Sequence, residues 1–260
     1  MREEDTMLTT HHLTCLFDAD HGIRDITLSI GAGERVGLIG ANGAGKTTLL
    51  RCLVGLLPAE GTLTVAGLPM TPAHLPAIRR AVGYVLQDPD DQLFMPTVLE
   101  DMIFGPVNAG VPREEAIRRA DACLAELGLT SLRDRQNHRL SGGEKKMASI
   151  AVILTMAPAL LFFDEPSAYL DPGNRRRLIS LLMSRHETQV IASHDLDMIA
   201  ETCDRVVVMD KGRLVCDGRV SEVLTDKALL EAHGLELPFC LQPVPGRLKP
   251  QPASDGVRKP

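Results

Sequence analysis

The first quarter of the chain alternates short apolar runs with turns, which is the pattern of a β-rich layer. Short runs of aliphatic and β-branched side chains, bounded by glycine and polar residues, are typical of strands. Within residues 9–67 the pattern predicts strands at 12–17, 24–30, 34–39 and 61–67. A helix is predicted directly after residue 46, because Leu49, Leu50 and Leu53 fall on one helical face.

A helical insert is predicted for residues 88–157, after a strand at 82–87. Apolar positions now recur at helical rather than alternating spacing. They predict helices at 98–104 and 112–127, and the second carries proline at its start and glycine just after its end.

The sheet pattern then resumes and predicts an α/β fold. Strands are predicted at 159–163, 189–193, 205–209 and 213–216, with a helix at 171–184. These elements divide residues 1–242 into a core, 1–87 plus 158–242, and the helical subdomain 88–157. Residues 243–260 are proline-rich with almost no apolar pattern, and we predict that this tail is disordered.

Composition narrows the class of protein. The chain has 260 residues, a net charge of −6 and no tryptophan. It is long enough for a sizeable core, but it lacks the basic footprint and the aromatic platform of a nucleic-acid binder, so no nucleic-acid partner is expected. Six scattered cysteines without a C-x-x-C pair, after an acidic start, predict a reducing cytoplasm.

An uncharged stretch at residues 147–163 raises the question of a membrane span. Its length is at the lower limit for crossing a bilayer. Pro158 would break a helix late in the stretch, and the apolar residues after it suit a buried parallel strand. We therefore predict helix, break and strand in a soluble chain, with any membrane association made through a partner.

The strongest chemical signal is the segment 40–47, which fits the phosphate-loop pattern G-x-x-x-x-G-K-[ST]. Gly40, Gly43 and Gly45 allow backbone N–H groups to approach a polyphosphate, and the following helix adds donors and a positive dipole. Lys46 would reach the β and γ phosphates, and Thr47 would ligate Mg²⁺. The alternative is a glycine-rich turn with an incidental lysine.

A second half of the site is predicted where an apolar strand ends in two carboxylates. Asp164 is expected to hold Mg²⁺, directly or through water. Glu165 is placed at the carboxyl end of the strand, where it can accept a proton from an attacking water, and we assign it as the general base. Adjacent acids at a strand end also occur without function, so the assignment depends on Lys46.

Two further features are compatible with anion binding. Ser141 precedes a predicted helix as an N-cap residue, followed by Gly142 and Gly143, so that this loop presents backbone donors. His194 follows a predicted strand and can donate to a γ phosphate. A lone histidine after a strand is more often structural.

Together these segments resemble the ATP-binding-cassette (ABC) family over residues 8–237. The resemblance implies an ABC nucleotide-binding domain, with a RecA-like phosphate-loop core, an N-terminal antiparallel β layer and a helical subdomain. It identifies 40–47 as Walker A, 140–144 as the signature loop, 160–165 as Walker B and 167–171 as the D-loop. It further assigns Gln87 to the Q-loop, as a catalytic residue and Mg²⁺ ligand, and His194 as the catalytic switch histidine.

The resemblance also implies the nucleotide contacts. Phe17 would stack on adenine, although a core or strand-end aromatic is the alternative. The expected ATP-binding residues are Phe17, Gly40, Asn42, Gly43, Ala44, Gly45, Lys46, Thr47, Thr48, Ser141, Gly142, Gly143 and Asp171. Lys46 counts among the catalytic residues with Glu165, and the implied cofactors are ATP and Mg²⁺.

By the same resemblance, two cassettes would pair head to tail, with the signature loop of each completing the other's site. The segments 88–94, 140–146 and 233–238 are similar to the ATPase subunit of energy-coupling-factor importers, particularly the cobalt or nickel branch. Membrane subunits would then be partners, at the cytoplasmic face of the membrane. Glu144 and Tyr169 depart from the commonest pattern, without removing a catalytic group.

Two other classes of protein compete with an importer. A soluble ABC ATPase of repair, translation or cluster assembly remains the alternative, although the chain has one cassette and no long coiled-coil insertion. A phosphate-loop kinase would need neither the signature loop nor His194. The segment 90–92 could face a membrane partner, or it could be a solvated acidic loop.

Overall fold

The structure, a computed structural model, describes residues 6–18 and 21–242. The tail predicted to be disordered, 243–260, lies outside the described residues. The strands are β1 (Thr6–Leu16), β2 (Gly22–Gly31), β3 (Arg35–Ile39), β4 (Glu60–Val65), β5 (Leu68–Pro69), β6 (Val82–Val85), β7 (Leu160–Asp164), β8 (Thr188–Ala192), β9 (Arg205–Asp210) and β10 (Arg213–Arg219).

The helices form most of the remaining structure. They are α1 (Lys46–Leu53), α2 (Leu75–Ala81), α3 (Val98–Asn108), α4 (Arg113–Glu126), α5 (Gly142–Leu154), α6 (Pro172–Ser184), α7 (Leu196–Thr202), α8 (Val220–Val223) and α9 (Lys227–Ala232). The α/β class is confirmed. Helices α2, α7, α8 and α9 were not predicted, because at seven residues or fewer they show too little periodicity.

An antiparallel sheet, ordered β2-β1-β4-β5, is the predicted N-terminal β layer. The start predicted for the first strand, residue 12, was wrong, because β1 begins at Thr6. The pairing of β1 with β2 slips between Thr10 and Leu13, and within it His12 has a φ of 52°. This bulge interrupts the alternation of apolar and polar positions, so the two halves of one strand do not share a pattern.

A six-stranded sheet, ordered β10-β9-β3-β8-β7-β6, forms the core layer. The strands from β9 to β6 are parallel neighbours, and β10 is an antiparallel edge strand. Every residue of β7 and β8 is buried. Because both faces are covered, β7 appears in the sequence as an apolar run of four residues before Asp164, and β8 as the run Val190–Ala192 after the buried polar residues Thr188 and Gln189.

The segment between β6 and β7 contains α3, α4 and α5. Its apolar side chains join one buried cluster with the helices on that side of the core sheet, while a second cluster lies under the antiparallel layer. Helix α3 extends past its predicted end at residue 104 to Asn108. Gly105 and Pro106 favour a break, yet Pro106 is buried, and its packing outweighs the lost hydrogen bond.

The uncharged stretch at 147–163 divides as predicted, with α5 ending at Leu154 and β7 beginning at Leu160. Within residues 6–18 and 21–242, no helix has the length and apolar character needed to cross a membrane.

Candidate functional site

The core sheet delivers chemically active residues to one edge. Strands β9, β3, β8, β7 and β6 are parallel neighbours, so their carboxyl ends lie side by side. The residues that follow them are Lys211 after β9, Gly40 after β3, Ser193 and His194 after β8, Glu165 after β7 and Gln87 just beyond β6. This edge of an α/β sheet is where ligands bind.

The phosphate loop has a backbone that its glycines permit. Gly40, Gly43 and Gly45 have φ values of 156°, 80° and 103°, in the region that favours glycine. A Cβ at Gly40 would lie 2.4 Å from the carbonyl oxygen of Met209, so the strand β9 also excludes a side chain there. A Cβ at Gly43 would meet no atom within 4 Å, so this part of the loop faces open space.

Helix α1 begins directly after this loop without a capping side chain or an acidic first turn. Helices α3, α5, α6, α7 and α9 do have side-chain caps. The first N–H groups of α1 are therefore available to an anionic ligand, next to the charge of Lys46.

A cavity of about 650 Å³ opens over the loop. It brings together many of the predicted site residues, namely Phe17, Asn42, Gly43, Ala44, Gly45, Lys46, Thr47, Thr48, Gln87, Glu165 and His194. Phe17 lies at its rim with 60% of its surface exposed, a position from which it can stack on a planar base. Gly40 and Asp164 contact this set from behind, through Lys46 and Thr47.

The Lys46 side chain is buried and folds back over the phosphate loop. Its Nζ donates to the carbonyl oxygen of Gly40 at 2.7 Å and to that of Ala41 at 3.3 Å. Burial lowers the pKa of Lys46, while the charges of Glu165 and Asp164 act in the opposite direction. The ammonium thus lies between the loop and two acids, where a phosphate group can compete for it.

Asp164 is buried at the end of β7 and holds two hydroxyl groups. Thr47 Oγ1 donates to its Oδ1 at 3.1 Å, and the Tyr84 hydroxyl donates to its Oδ2 at 3.1 Å. Burial and the charge of Asp164 raise the pKa of Tyr84, which keeps that phenol protonated as a donor. A carboxylate and a hydroxyl oxygen at contact distance suit the oxygen-ligand preference of Mg²⁺.

Glu165 is buried beside the residues that follow β8. Its Oε2 lies 2.7 Å from His194 Nδ1, and it accepts hydrogen bonds from the Ser193 hydroxyl at 3.3 Å and the His194 backbone N–H at 3.2 Å. The His194 ring is 67% exposed and lines the cavity. A buried, oriented carboxylate at the cavity wall can accept a proton from a water molecule held there.

The predicted signature residues lie away from this cavity, with Ser141 and Gly142 exposed and Gly143 buried. Ser141 caps α5 as predicted, and Glu144 completes a capping box, with hydrogen bonds between Ser141 Oγ and Glu144 N at 3.3 Å and between Glu144 Oε2 and Ser141 N at 2.8 Å. A Cβ on Gly142 would lie 3.6 Å from the Cβ of Tyr169 in the predicted D-loop. None of Ser141, Gly142 or Gly143 lines the phosphate-loop cavity.

Asp171 also lies outside this cavity. Its carboxylate accepts from the backbone N–H of Asn174 at 2.8 Å and so caps α6. Within this chain it has a structural contact, and its predicted contact to nucleotide stays a prediction.

Gln92 contradicts one expectation for the segment 90–92. Asp90 and Asp91 are exposed, but Gln92 is buried, so its side chain does not face an outside partner. Its amide instead accepts from Leu86 N at 3.1 Å and donates to Ser149 O at 2.6 Å. A polar residue directly after two exposed acids gives no sequence signal of such burial.

Four cavity residues were missed, His21, Gly22, Lys211 and Gly212. They meet the loop because Gly212 donates to the carbonyl oxygen of Ala44 at 3.0 Å, while a Cβ on Gly212 would lie 2.3 Å from Gly22 O. A glycine turn after a strand predicts a hairpin, and only the sheet order places that hairpin against the phosphate loop.

Fold and site together define a phosphate-loop nucleotide-binding ATPase, with its acids, histidine and lysine at one edge of a parallel sheet. Comparison with known proteins gives the family. The sequence profile of the ABC transporter family matches residues 23–168. The chain belongs to the ABC family and is an ABC ATPase, an enzyme that couples ATP hydrolysis to transport.

Three similar proteins illustrate the match. A putative ABC transporter ATP-binding protein of Gloeobacter violaceus is 48% identical, over 86% of this chain and 93% of the relative. The energy-coupling factor transporter ATP-binding protein EcfA of Methanoculleus marisnigri is 41% identical, over 89% and 86%. The structure of CbiO1 from Clostridium perfringens, part of the ABC transporter complex CbiONQ, aligns with a TM-score of 0.76 at 34% identity, over 88% and 94%.

Proposed function

We propose that this protein is the ATP-hydrolysing subunit of an energy-coupling-factor type importer for cobalt or nickel ions, driven by closure of a head-to-tail cassette dimer. One observation carries the dimer: the signature residues Ser141–Gly143 lie outside the phosphate-loop cavity of their own chain. A second copy can supply them across a symmetric interface. The similar protein EcfA is named as an energy-coupling factor transporter subunit and CbiO1 is part of the ABC transporter complex CbiONQ, which supports the energy-coupling-factor class.

In this proposal the chain binds ATP between Phe17 and the phosphate loop. Lys46 exchanges its loop carbonyls for phosphate oxygens, and Thr47, Asp164 and Gln87 are the residues that would hold Mg²⁺. When bound, Mg²⁺ supplies positive charge that stabilises the polyphosphate during transfer. Glu165 orients water and accepts its proton, and His194 donates a hydrogen bond to the γ phosphate.

Replacing Glu165 by Gln tests this chemistry. The amide preserves a carbonyl oxygen for Ser193 and the His194 backbone, but it removes the base. Turnover should fall by about 10² to 10⁴, while ATP affinity changes little and ATP-bound dimers accumulate in size-exclusion chromatography. Unchanged turnover in the variant would rule out the assigned role.

An exposed aromatic pair supports a membrane-subunit partner. The Phe94 and Phe104 rings are 64% and 42% exposed and meet edge to face at a centroid distance of 4.9 Å. They follow Asp90 and Asp91 of the acidic loop, which are exposed as well. This apolar patch with an acidic rim suits an amphipathic helix that carries apolar and basic side chains.

Co-purification from membranes tests the partner and the cytoplasmic, peripheral location. The double variant Phe94→Ser, Phe104→Ser should abolish recovery of a polytopic membrane protein. The control Met183→Ser, which changes an exposed apolar residue on a different element, α6, should not. Stimulation of ATPase activity by that partner would support the importer. Uptake of Co²⁺ or Ni²⁺ by membranes that contain the complex would support it as well. Recovery without any membrane protein, with stimulation by nucleic acid, would instead favour the soluble non-transport class.

A further inference from the structure

A lysine outside the predicted site lies completely buried behind it. Lys146 is on α5, the helix that begins at the signature loop, and its side chain is 0% exposed. Its Nζ donates to the carbonyl oxygens of Leu86 at 2.8 Å and Gln87 at 3.0 Å, and it lies 3.5 Å from that of Asp164. One ammonium group thus joins α5 to the ends of β6 and β7.

Packing alone does not account for this residue. Burying an ammonium group is costly unless its donors are paired. Burial lowers the pKa of Lys146 to about 8, against the charges of Asp164, Glu165 and Asp88. Lysine therefore contributes through its three carbonyl contacts.

Helix α5 contacts the segment 86–92 at two further points, through one hydrogen bond and one ion pair. Gln92 accepts from the backbone N–H of Leu86 and donates to the carbonyl oxygen of Ser149 on α5. Leu86 is thus held on both its N–H and its C=O, by Gln92 and Lys146. Lys145, the neighbour of Lys146, makes a surface ion pair with Asp90 at 2.5 Å.

We propose that Lys146 is a positioning residue: it fixes the backbone of Gln87 and Asp164 relative to the signature helix, so that Mg²⁺ binding in one site and the placement of the signature loop are coupled within the chain. The role toward Mg²⁺ rests on the proposed function of Gln87 and Asp164. The role toward the backbone of 86–92 does not, and it can be tested without nucleotide.

The test compares Lys146→Met with Lys145→Met, its neighbour on the same helix, which loses only an ion pair to the exposed Asp90 and should therefore change exchange at 86–92 less. In the nucleotide-free protein, hydrogen exchange of the amides at 86–92 should be about 10-fold or more faster in Lys146→Met, and exchange in the phosphate loop should be unchanged. In ATPase assays the half-saturating Mg²⁺ concentration should rise by about 10- to 100-fold, the usual effect of removing a group that orients metal ligands. ATP affinity measured in EDTA should be unchanged.

Each outcome supports or overturns the positioning role of Lys146. Unchanged exchange at 86–92, or equal acceleration in Lys145→Met, would overturn the proposal. Faster exchange without a shift in Mg²⁺ dependence would reject coupling to the metal and would place the fault in the proposed function of Gln87. If Lys146→Met proves too unstable to purify, Lys146→Gln keeps one donor and should give a smaller change in the same two measurements; no change would again overturn the proposal.

Discussion

A mixing experiment tests directly whether each ATP site uses two chains. Lys46→Met removes the phosphate-binding cation, which is buried in the loop. Ser141→Asp keeps an N-cap for α5, because aspartate caps about as well as serine. It also places a carboxylate where the partner's γ phosphate would lie. At about 4 Å and an effective dielectric of 20, that repulsion is about 4 kcal/mol, or roughly 10³-fold in affinity.

The structure sets the expected numbers. Ser141 does not line its own chain's cavity. In a dimer of the two variants, one ATP site therefore contains both Lys46→Met and Ser141→Asp, and the other site contains neither substitution. In an equal mixture about half of the dimers are mixed and each has one intact site, so ATPase activity should recover to about a quarter of wild type. Each variant alone should be nearly inactive.

The double variant gives the control. Mixed with an equal amount of wild type, the chain that carries Lys46→Met and Ser141→Asp should lower activity to about a quarter, since only pure wild-type dimers retain intact sites. Chains that act alone would retain about half. The composite site would be refuted by that value, or by no recovery when the single variants are mixed after exchange of subunits has been verified.

Three other predictions each concern a single residue. Gly43→Ala should lower the free energy of unfolding by about 1 kcal/mol, because φ is 80° there, and calorimetry measures it. Burial raises the pKa of Asp195, but the Arg175 hydrogen bonds at 2.6 and 2.8 Å, the Arg175 charge and the hydrogen bonds of Met198 and Ser167 together lower it more, so its net pKa is lowered. In urea unfolding Asp195→Asn should cost on the order of 2 kcal/mol at neutral pH, and the difference should shrink below about pH 4, where the unfolded aspartate protonates. The Ser141 backbone N–H and Arg135 lower the pKa of Glu144, so its charge offsets the dipole of α5, and Glu144→Gln should improve apparent ATP affinity about two- to fivefold.

The contiguous parts of the site could be predicted from the sequence. Residues 40–47 form one loop and the first turn of the helix after β3, and Asp164 and Glu165 directly follow the apolar residues of one strand. Once the strands are parallel, their ends must meet, so separate motifs converge without any knowledge of side-chain contacts. The preference of serine for the N-cap position predicts Ser141 at the start of α5, where its cap is found.

The parts that depend on sheet order or on helix register could not be predicted. Lys211 lies in an ordinary hairpin turn, and it reaches the cavity because β9 is the neighbour of β3. Lys146 looks like a surface lysine next to Lys145, yet one helical step, about 100°, turns it from solvent to the core. The spacing of charged residues on α5 does not specify which of the two faces Leu86.

The structure also suggests why a half-site can drive closure. In the single chain, Lys46 is held by two loop carbonyls, and Glu165 is held by Ser193 and His194. ATP must replace the contacts of Lys46, and by itself it gains only what one phosphate loop offers. Because the proposed γ-phosphate contacts beyond those of Lys46 and His194 lie at the start of the partner's α5, the largest remaining gain comes from bringing the second chain closer, so in this proposal nucleotide binding favours the closed dimer.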